Sequence, residues 1–267
     1  MNYLILGGSS YLGSSFQKYL SNKNISSISL STKNSKNYSE KKIAQVLSKY
    51  SPKRIVDFKF PIVSSDDNLF KDIVENEFFS AQLKLINTLN SLEYDFNNIY
   101  VISSENINRS KTKYTTYKKK QEKIYKEKLD RKDKLRIIRL HSVFGPGDLS
   151  RYRIIPNFFR QVFDSKEVIF NINSNKLGYF NYIDETNKYI FDVTEGIDTK
   201  RKFYKCTYNL LIQTLSSILI NEFEFKHKVL WNSKPLINKR EIENKEFYNY
   251  LVETTNWYFK NTLNKKG

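Results

Sequence analysis

The chain is poor in the residues that build covalent or metal-held frameworks: one cysteine, two histidines, five prolines and eight glycines among 267. A lone cysteine, Cys206, cannot form an internal disulfide, and with only His141 and His227 beside it there is no metal-ligand cluster. Long apolar runs are missing too. None approaches the roughly 18 residues that a membrane-crossing helix requires, and the opening Met1-Asn2-Tyr3-Leu4 lacks the length and basic flank of a signal peptide. A metal-free cytoplasmic protein is therefore expected. Acidic residues are outnumbered 28 to 45, giving a net charge of +17. Abundant Lys, Asn, Ile and Tyr over scarce Gly and Ala account for most of that excess as a compositional bias. The remainder points to a phosphate-bearing small ligand in preference to nucleic acid. The densest basic run, Lys111 to Lys134, is broken by Glu122, Glu127 and Asp130 and reads as a solvated helix face.

What is present is an alternation of short apolar runs and amphipathic stretches. Asn2 to Leu6, Ile25 to Leu30, Arg54 to Phe60, Asn98 to Ser103 and Leu135 to Leu140 read as strands. Between them, Tyr11 to Leu20, Ser39 to Tyr50, Leu69 to Leu92 and Tyr114 to Leu129 read as helices. This order implies an α/β fold, a doubly wound parallel sheet with helices on both faces. After Gly145-Pro146-Gly147 the pattern loosens. Helices are expected at Ile155 to Phe163, Glu185 to Val193, Leu210 to Asn221 and Glu241 to Leu263, with strands at Val168 to Phe170, Phe180 to Ile183 and Phe203 to Thr207. The expected organisation is a sheet domain over residues 1–148 and a smaller substrate lobe over 149–267.

Two local patterns carry chemistry. Gly7-Gly8-Ser9-Ser10-Tyr11-Leu12-Gly13 joins the first strand to the first helix. There Gly7 permits a tight turn, Gly13 permits close helix–strand packing, and the helix N-terminus presents amides to a pyrophosphate. Further on, Tyr114 and Lys118 are four apart on one helix and so share a face. An ammonium beside a phenol favours the phenolate and brings it toward a useful range for proton transfer. Ser103-Ser104, ending the preceding strand, offers a hydroxyl that can polarise a carbonyl.

In this order, with Arg139-Leu140-His141-Ser142-Val143-Phe144-Gly145-Pro146-Gly147-Asp148 closing the fifth strand, the chain resembles the extended short-chain dehydrogenase/reductases acting on nucleotide sugars. Ile154-Ile155-Pro156-Asn157, Phe180-Asn181-Tyr182-Ile183-Asp184-Glu185 and the tail Leu251 to Tyr258 extend the likeness over nearly the whole chain. The resemblance implies a Rossmann domain, a bound NAD or NADP and hydride chemistry at a sugar carbon. It also implies that Tyr114 is the acid/base, that Lys118 holds the nicotinamide ribose as well, and that Ser104 polarises the carbonyl. A homodimer paired through the Tyr114 helix is a further implication.

Four features depart from the family pattern. Ser10 replaces the middle glycine of the fingerprint, leaving an amide and a hydroxyl for phosphate. The loop from Ser104 to Tyr114 is short. Lys59-Phe60 stands where small residues usually line the cofactor, and the family's diphosphate-gripping arginine falls at Gly178, leaving Lys176, Arg151, Arg153 or Arg160 to substitute. The second strand ends in Leu30-Ser31-Thr32-Lys33-Asn34 with no acid to accept from ribose hydroxyls, which favours NADP over NAD. These readings lead to an NADPH-dependent reductase of a keto group on a nucleotide-activated sugar, in cell-surface polysaccharide precursor synthesis. An NAD-dependent epimerase or dehydratase is the alternative enzyme. The bulk of Lys59-Phe60 also leaves open a catalytically dead relative that serves as a binding module.

Overall fold

The computed structural model describes residues 1–30, 39–60, 77–91, 95–150, 153–164, 167–170, 177–197, 208–221, 228–231 and 245–263. Met1–Leu140 with Asn187–Tyr204 forms one compact unit, and His141–Thr186 with Lys205–Gly267 a second.

The first unit is built on five parallel strands: β1 (Tyr3–Leu6), β2 (Ser27–Leu30), β3 (Arg54–Asp57), β4 (Asn98–Ser104) and β5 (Leu135–Leu140). Their order in the sheet is β2-β1-β3-β4-β5. All four residues of β1 are buried, and β4 is buried from Ile99 to Ser104, as expected of parallel strands covered on both faces. The covering helices are α1 (Tyr11–Asn22), α2 (Glu40–Tyr50), α3 (Phe79–Ser91) and α4 (Lys113–Lys128). Three of them start on a hydroxyl cap: Ser10 for α1, Ser39 for α2, and Thr112 for α4, where Thr115 answers in a reciprocal capping box. α2 stops at Ser51, whose φ of 40° is left-handed, immediately before Pro52. Leu4, Leu6, Ile55, Leu85, Ile99 and Val101 pack into one core. Burying each such side chain contributes about 1.5–3 kcal/mol.

The chain leaves β1 toward β2 on one side of the sheet and returns through β3 on the other. Doubly wound sheets place ligands at such a reversal, outside the carboxyl ends of the strands. The later segment Asn187–Tyr204 is fastened to this unit through Arg54, whose Nε donates to the Thr194 carbonyl (2.6 Å) and whose guanidinium pairs with Glu195 (2.7 Å).

The second unit carries a three-stranded sheet, β6 (Ser142–Phe144), β8 (Leu177–Tyr182) and β9 (Tyr208–Leu211), in the order β6-β8-β9. A parallel pair, β7 (Glu167–Phe170) and β10 (Lys228–Trp231), stands apart from it. Helices α5 (Ile154–Asp164), α6 (Ile183–Thr194), α7 (Ile212–Asn221) and α8 (Lys245–Leu263) complete the chain, α6 carrying it back to the first unit. The packing of this second unit is largely aromatic. Tyr182 stacks on Tyr250 with centroids 3.8 Å apart, Phe159 on Tyr258 at 4.5 Å, and Phe247 meets Phe144 edge-on.

Most expected elements are present within a residue or two of their expected bounds. The helix expected from Leu69 appears as Phe79–Ser91, residues 61–76 lying outside the described residues. The strand expected at Phe203 to Thr207 also lies outside them, and a described strand follows it directly at Tyr208–Leu211. β6 and β10 were not anticipated. No described helix is long and apolar enough to cross a membrane.

Candidate functional site

The glycine turn after β1 is packed too closely to admit side chains. Gly7 has φ +78°, and a Cβ there would lie 3.1 Å from the Lys59 amide nitrogen. A Cβ on Gly13 would lie 2.4 Å from the Gly7 carbonyl oxygen, so α1 can approach β1 this closely only with glycine at that position. Gly8 is equally constrained, its Cβ position 2.5 Å from that of Ser29 on β2, a requirement the sequence reading assigned to no function. Ser10 is the N-cap: its Oγ accepts from the Gly13 amide (3.1 Å), while its own amide donates to the Gly7 carbonyl (2.9 Å). This revises the expected role of Ser10. Its amide closes the turn, and the hydroxyl proton is what it has to offer a ligand. Tyr11 and Leu12 occupy the first helical positions, where backbone N–H groups have no partner within the helix. Ser31, Thr32 and Lys33 lie outside the described residues.

Ser104 ends β4 and caps the 3₁₀ turn Glu105–Asn108, its Oγ accepting from the Asn106 amide at 3.2 Å. Tyr114, half-buried, and Lys118, buried, sit in the first turns of α4. Lys118 Nζ donates to the carbonyl of Ile102 and to Gln121 Oε1, each at 3.0 Å, which fastens α4 to the end of β4. Burial pushes the Lys118 ammonium down to about 7, against the pull of Asp57 and Glu122 toward the charged form. Phe60, just past β3, lies against both residues. Its ring meets Tyr114 edge-on (5.2 Å, 86°), and its face lies 4.2 Å from Lys118 Nζ.

Beneath this pair runs a polar network that sequence reasoning missed. Asp57, fully buried at the end of β3, accepts from the Lys59 amide (2.9 Å) and the Tyr125 hydroxyl (2.5 Å). The Lys59 ammonium lies 3.8 Å from the same carboxylate, and burial pushes it below the usual lysine range despite Asp57. Gln121 receives Lys118 on its oxygen and donates from its nitrogen to the Lys59 carbonyl (3.3 Å). Glu122 holds Arg139 through two bonds (3.0 and 2.7 Å). Burial raises the Glu122 pKa, but hydrogen bonds from Arg139 and Ser103 and the positive charges of Arg139 and Lys126 outweigh it and leave the group below the usual range. The Lys-rich run is therefore solvated on one face only. Lys119, Lys120, Lys123 and Lys126 are exposed, whereas Lys118, Gln121, Glu122 and Tyr125 recur at helical spacing on the buried face.

In the second unit, Arg153 is committed to Asp148 (2.9 Å) and donates to the Val143 carbonyl, while Arg160 binds Asn157 on its own helix. Arg151 and Lys176 lie outside the described residues. Burial lifts the Asp148 carboxyl to about 6 even with Arg153 beside it. No group of three or more metal-ligating side chains is found among the described residues.

No family model matches the chain, and no curated protein matches its sequence. Solved structures match over nearly the full length. An epimerase from the methanogen Methanothermobacter thermautotrophicus shares 16% identity at a TM-score of 0.77, covering 99% of this chain and 94% of its own. A UDP-glucuronic acid 4-epimerase from Bacillus cereus, in complex with UDP-glucuronic acid and NAD, shares 12% at 0.75 (97% and 99% covered). A dTDP-glucose 4,6-dehydratase from Bacillus anthracis, in complex with NAD, shares 15% at 0.73 (98% and 97% covered). The chain has the Rossmann-type fold of these proteins.

Proposed function

We propose that the chain is an NADPH-dependent reductase of a keto group on a nucleotide-activated sugar. The observation that carries this reading is the placement of Ser104 and the Tyr114–Lys118 pair at the carboxyl edge of the same sheet whose first strand ends in the glycine turn. The side-chain-free backbone at Gly7 and Gly13, where α1 begins, suits the pyrophosphate of a dinucleotide.

When bound, the nicotinamide supplies a hydride for the carbonyl carbon. Tyr114 would deliver the proton to the carbonyl oxygen, and Ser104, its oxygen already engaged by Asn106, would keep its proton and donate a hydrogen bond to that same oxygen. Lys118, buried and linked to β4, steadies the phenolate that Tyr114 leaves. Ser31, Thr32 and Lys33 bind the 2′-phosphate that distinguishes NADP.

The epimerase or dehydratase reading is favoured by the NAD complexes among the structural neighbours. The binding-module reading is favoured by Phe60, which lies over Lys118. Native mass spectrometry of the purified protein separates the three. NADP that exchanges with added NADPH supports the reductase, retained NAD the epimerase or dehydratase, and no dinucleotide even after incubation the binding module.

We also propose a homodimer paired through α4, which sedimentation at two protein concentrations reads directly.

A further inference from the structure

A lysine ammonium has three N–H donors and no acceptor. In Lys118 two of them are directed at the Ile102 carbonyl and Gln121 Oε1, both at 3.0 Å. The remaining side of the ammonium is covered by the Phe60 ring face, with Nζ 4.2 Å from the centroid. That ring is itself held in place. Phe78 meets it at 5.2 Å and 68°, and Tyr114 at 5.2 Å and 86°, both edge-on, while Phe79 packs against Phe78. The result is a closed aromatic cover, and Lys118 is only 4% exposed although it lies in the second turn of a helix whose other face is open to water.

We propose that Phe60 is an autoinhibitory cap, whose ring shields Lys118 so that a ligand hydroxyl reaches the ammonium only by displacing it. The identity of that ligand as the nicotinamide ribose rests on the dinucleotide reading above; the cap itself does not. A protein whose receptive form is a minor population binds with an apparent affinity reduced by that fraction. Phe60 therefore sets the affinity of this site without forming any bond to the ligand. The cation–π contact also compensates the buried charge, so the closed state is favoured while the site is empty.

The cap is tested by competitive acylation with acetic anhydride near neutral pH, comparing Lys118 with the exposed Lys119 beside it by peptide mass spectrometry. Lys118 holds more of its free amine at that pH, since burial has brought it down to about 7. It should nevertheless react more slowly than Lys119 in the wild-type chain. Phe60→Ala should raise the Lys118 rate by about tenfold and reverse the order. Phe60→Leu retains an apolar side chain against Tyr114 and Phe78 while removing the aromatic face; it should raise the rate less. Circular dichroism and melting establish that each variant is folded. Unchanged Lys118 reactivity in a folded Phe60→Ala or Phe60→Leu chain overturns the cap, as does a wild-type Lys118 that reacts as fast as Lys119. Added NADPH should protect Lys118 in Phe60→Ala at about tenfold lower concentration than in wild type. If uncapping accelerates acylation but no dinucleotide protects, the cap stands and the dinucleotide assignment fails.

Discussion

The ends of β1 and β3 are neighbours in one sheet, and they are built to opposite rules. At β1 the chain removes side chains: Gly7, Gly8 and Gly13 each occupy a place where a Cβ would approach another atom at 3.1 Å or less. At β3 it adds them, with Asp57 and Lys59 buried and Phe60 spread over Lys118 and Tyr114. The first end keeps its backbone clear of side chains. The second fills the space beside the catalytic candidates with polar and aromatic groups. The end of β1 is thus kept free of side chains while the end of β3 is closed over.

The largest effect is expected at the open end. Gly13→Val would drive a branched side chain into the Gly7 carbonyl, 2.4 Å from the Cβ position, and overpacking of this kind costs about 1–3 kcal/mol. Dinucleotide binding should disappear, and unchanged affinity by calorimetry would mean that the turn is only scaffold. Next comes Tyr114→Phe, which removes the hydroxyl of a half-buried residue whose ring keeps its packing against Phe60. Turnover of keto-sugar should fall about 10²–10⁴-fold with melting temperature and cofactor affinity nearly unchanged; full activity would remove Tyr114 from the mechanism.

At the closed end, folded Lys118 loses its proton near pH 7 while a solvated lysine keeps it to about 10.4. Between those values the unfolded chain holds more protons, so stability rises with pH, by up to about 1.4 kcal/mol per unit. Lys118→Met should flatten that slope in urea melts from pH 7.5 to 9.5 and stabilise the fold at the lower end. An unaltered slope would show that the buried charge is not what sets it. The smallest effect concerns cofactor choice. NADPH should bind about tenfold to a hundredfold more tightly than NADH, since charged hydrogen bonds contribute about 1.5–3 kcal/mol. Ser31→Asp should reverse the order, and equal affinities in the wild type would favour the epimerase reading.

The contrast between the two strand ends also marks what the sequence made legible. The glycine turn was readable because the requirement is local, set by backbone conformation within seven residues. The helical spacing of Tyr114 and Lys118 was readable for the same reason, whereas the engagement of the Lys118 ammonium by Ile102, Gln121 and Phe60 was not. Lys59 and Phe60 could be read only as bulk, because the contact of Phe60 with Lys118 joins residues far apart in the chain. Gln121, Glu122 and Tyr125 were hidden by their setting. Embedded among lysines, they looked solvated, and only packing against β3, β4 and Arg139 reveals the buried face. Of the strands that escaped, β6 follows β5 after a single residue and reads as its continuation, and β10 is no shorter than β1, β3 or β7, which were read.

The contrast itself is tested most directly by titrating ADP-ribose 2′-phosphate and NADPH into the wild-type chain and the Phe60→Ala variant by calorimetry. The first ligand carries the phosphates without the nicotinamide; the second carries both. With the phosphate half open and Lys118 capped, the two should bind the wild type with similar affinity, and NADPH alone should tighten, by about tenfold, in Phe60→Ala. NADPH binding far more tightly than the truncated ligand in the wild type, with no gain in the variant, would contradict a closed nicotinamide end, and failure of both ligands to bind would contradict an open phosphate end.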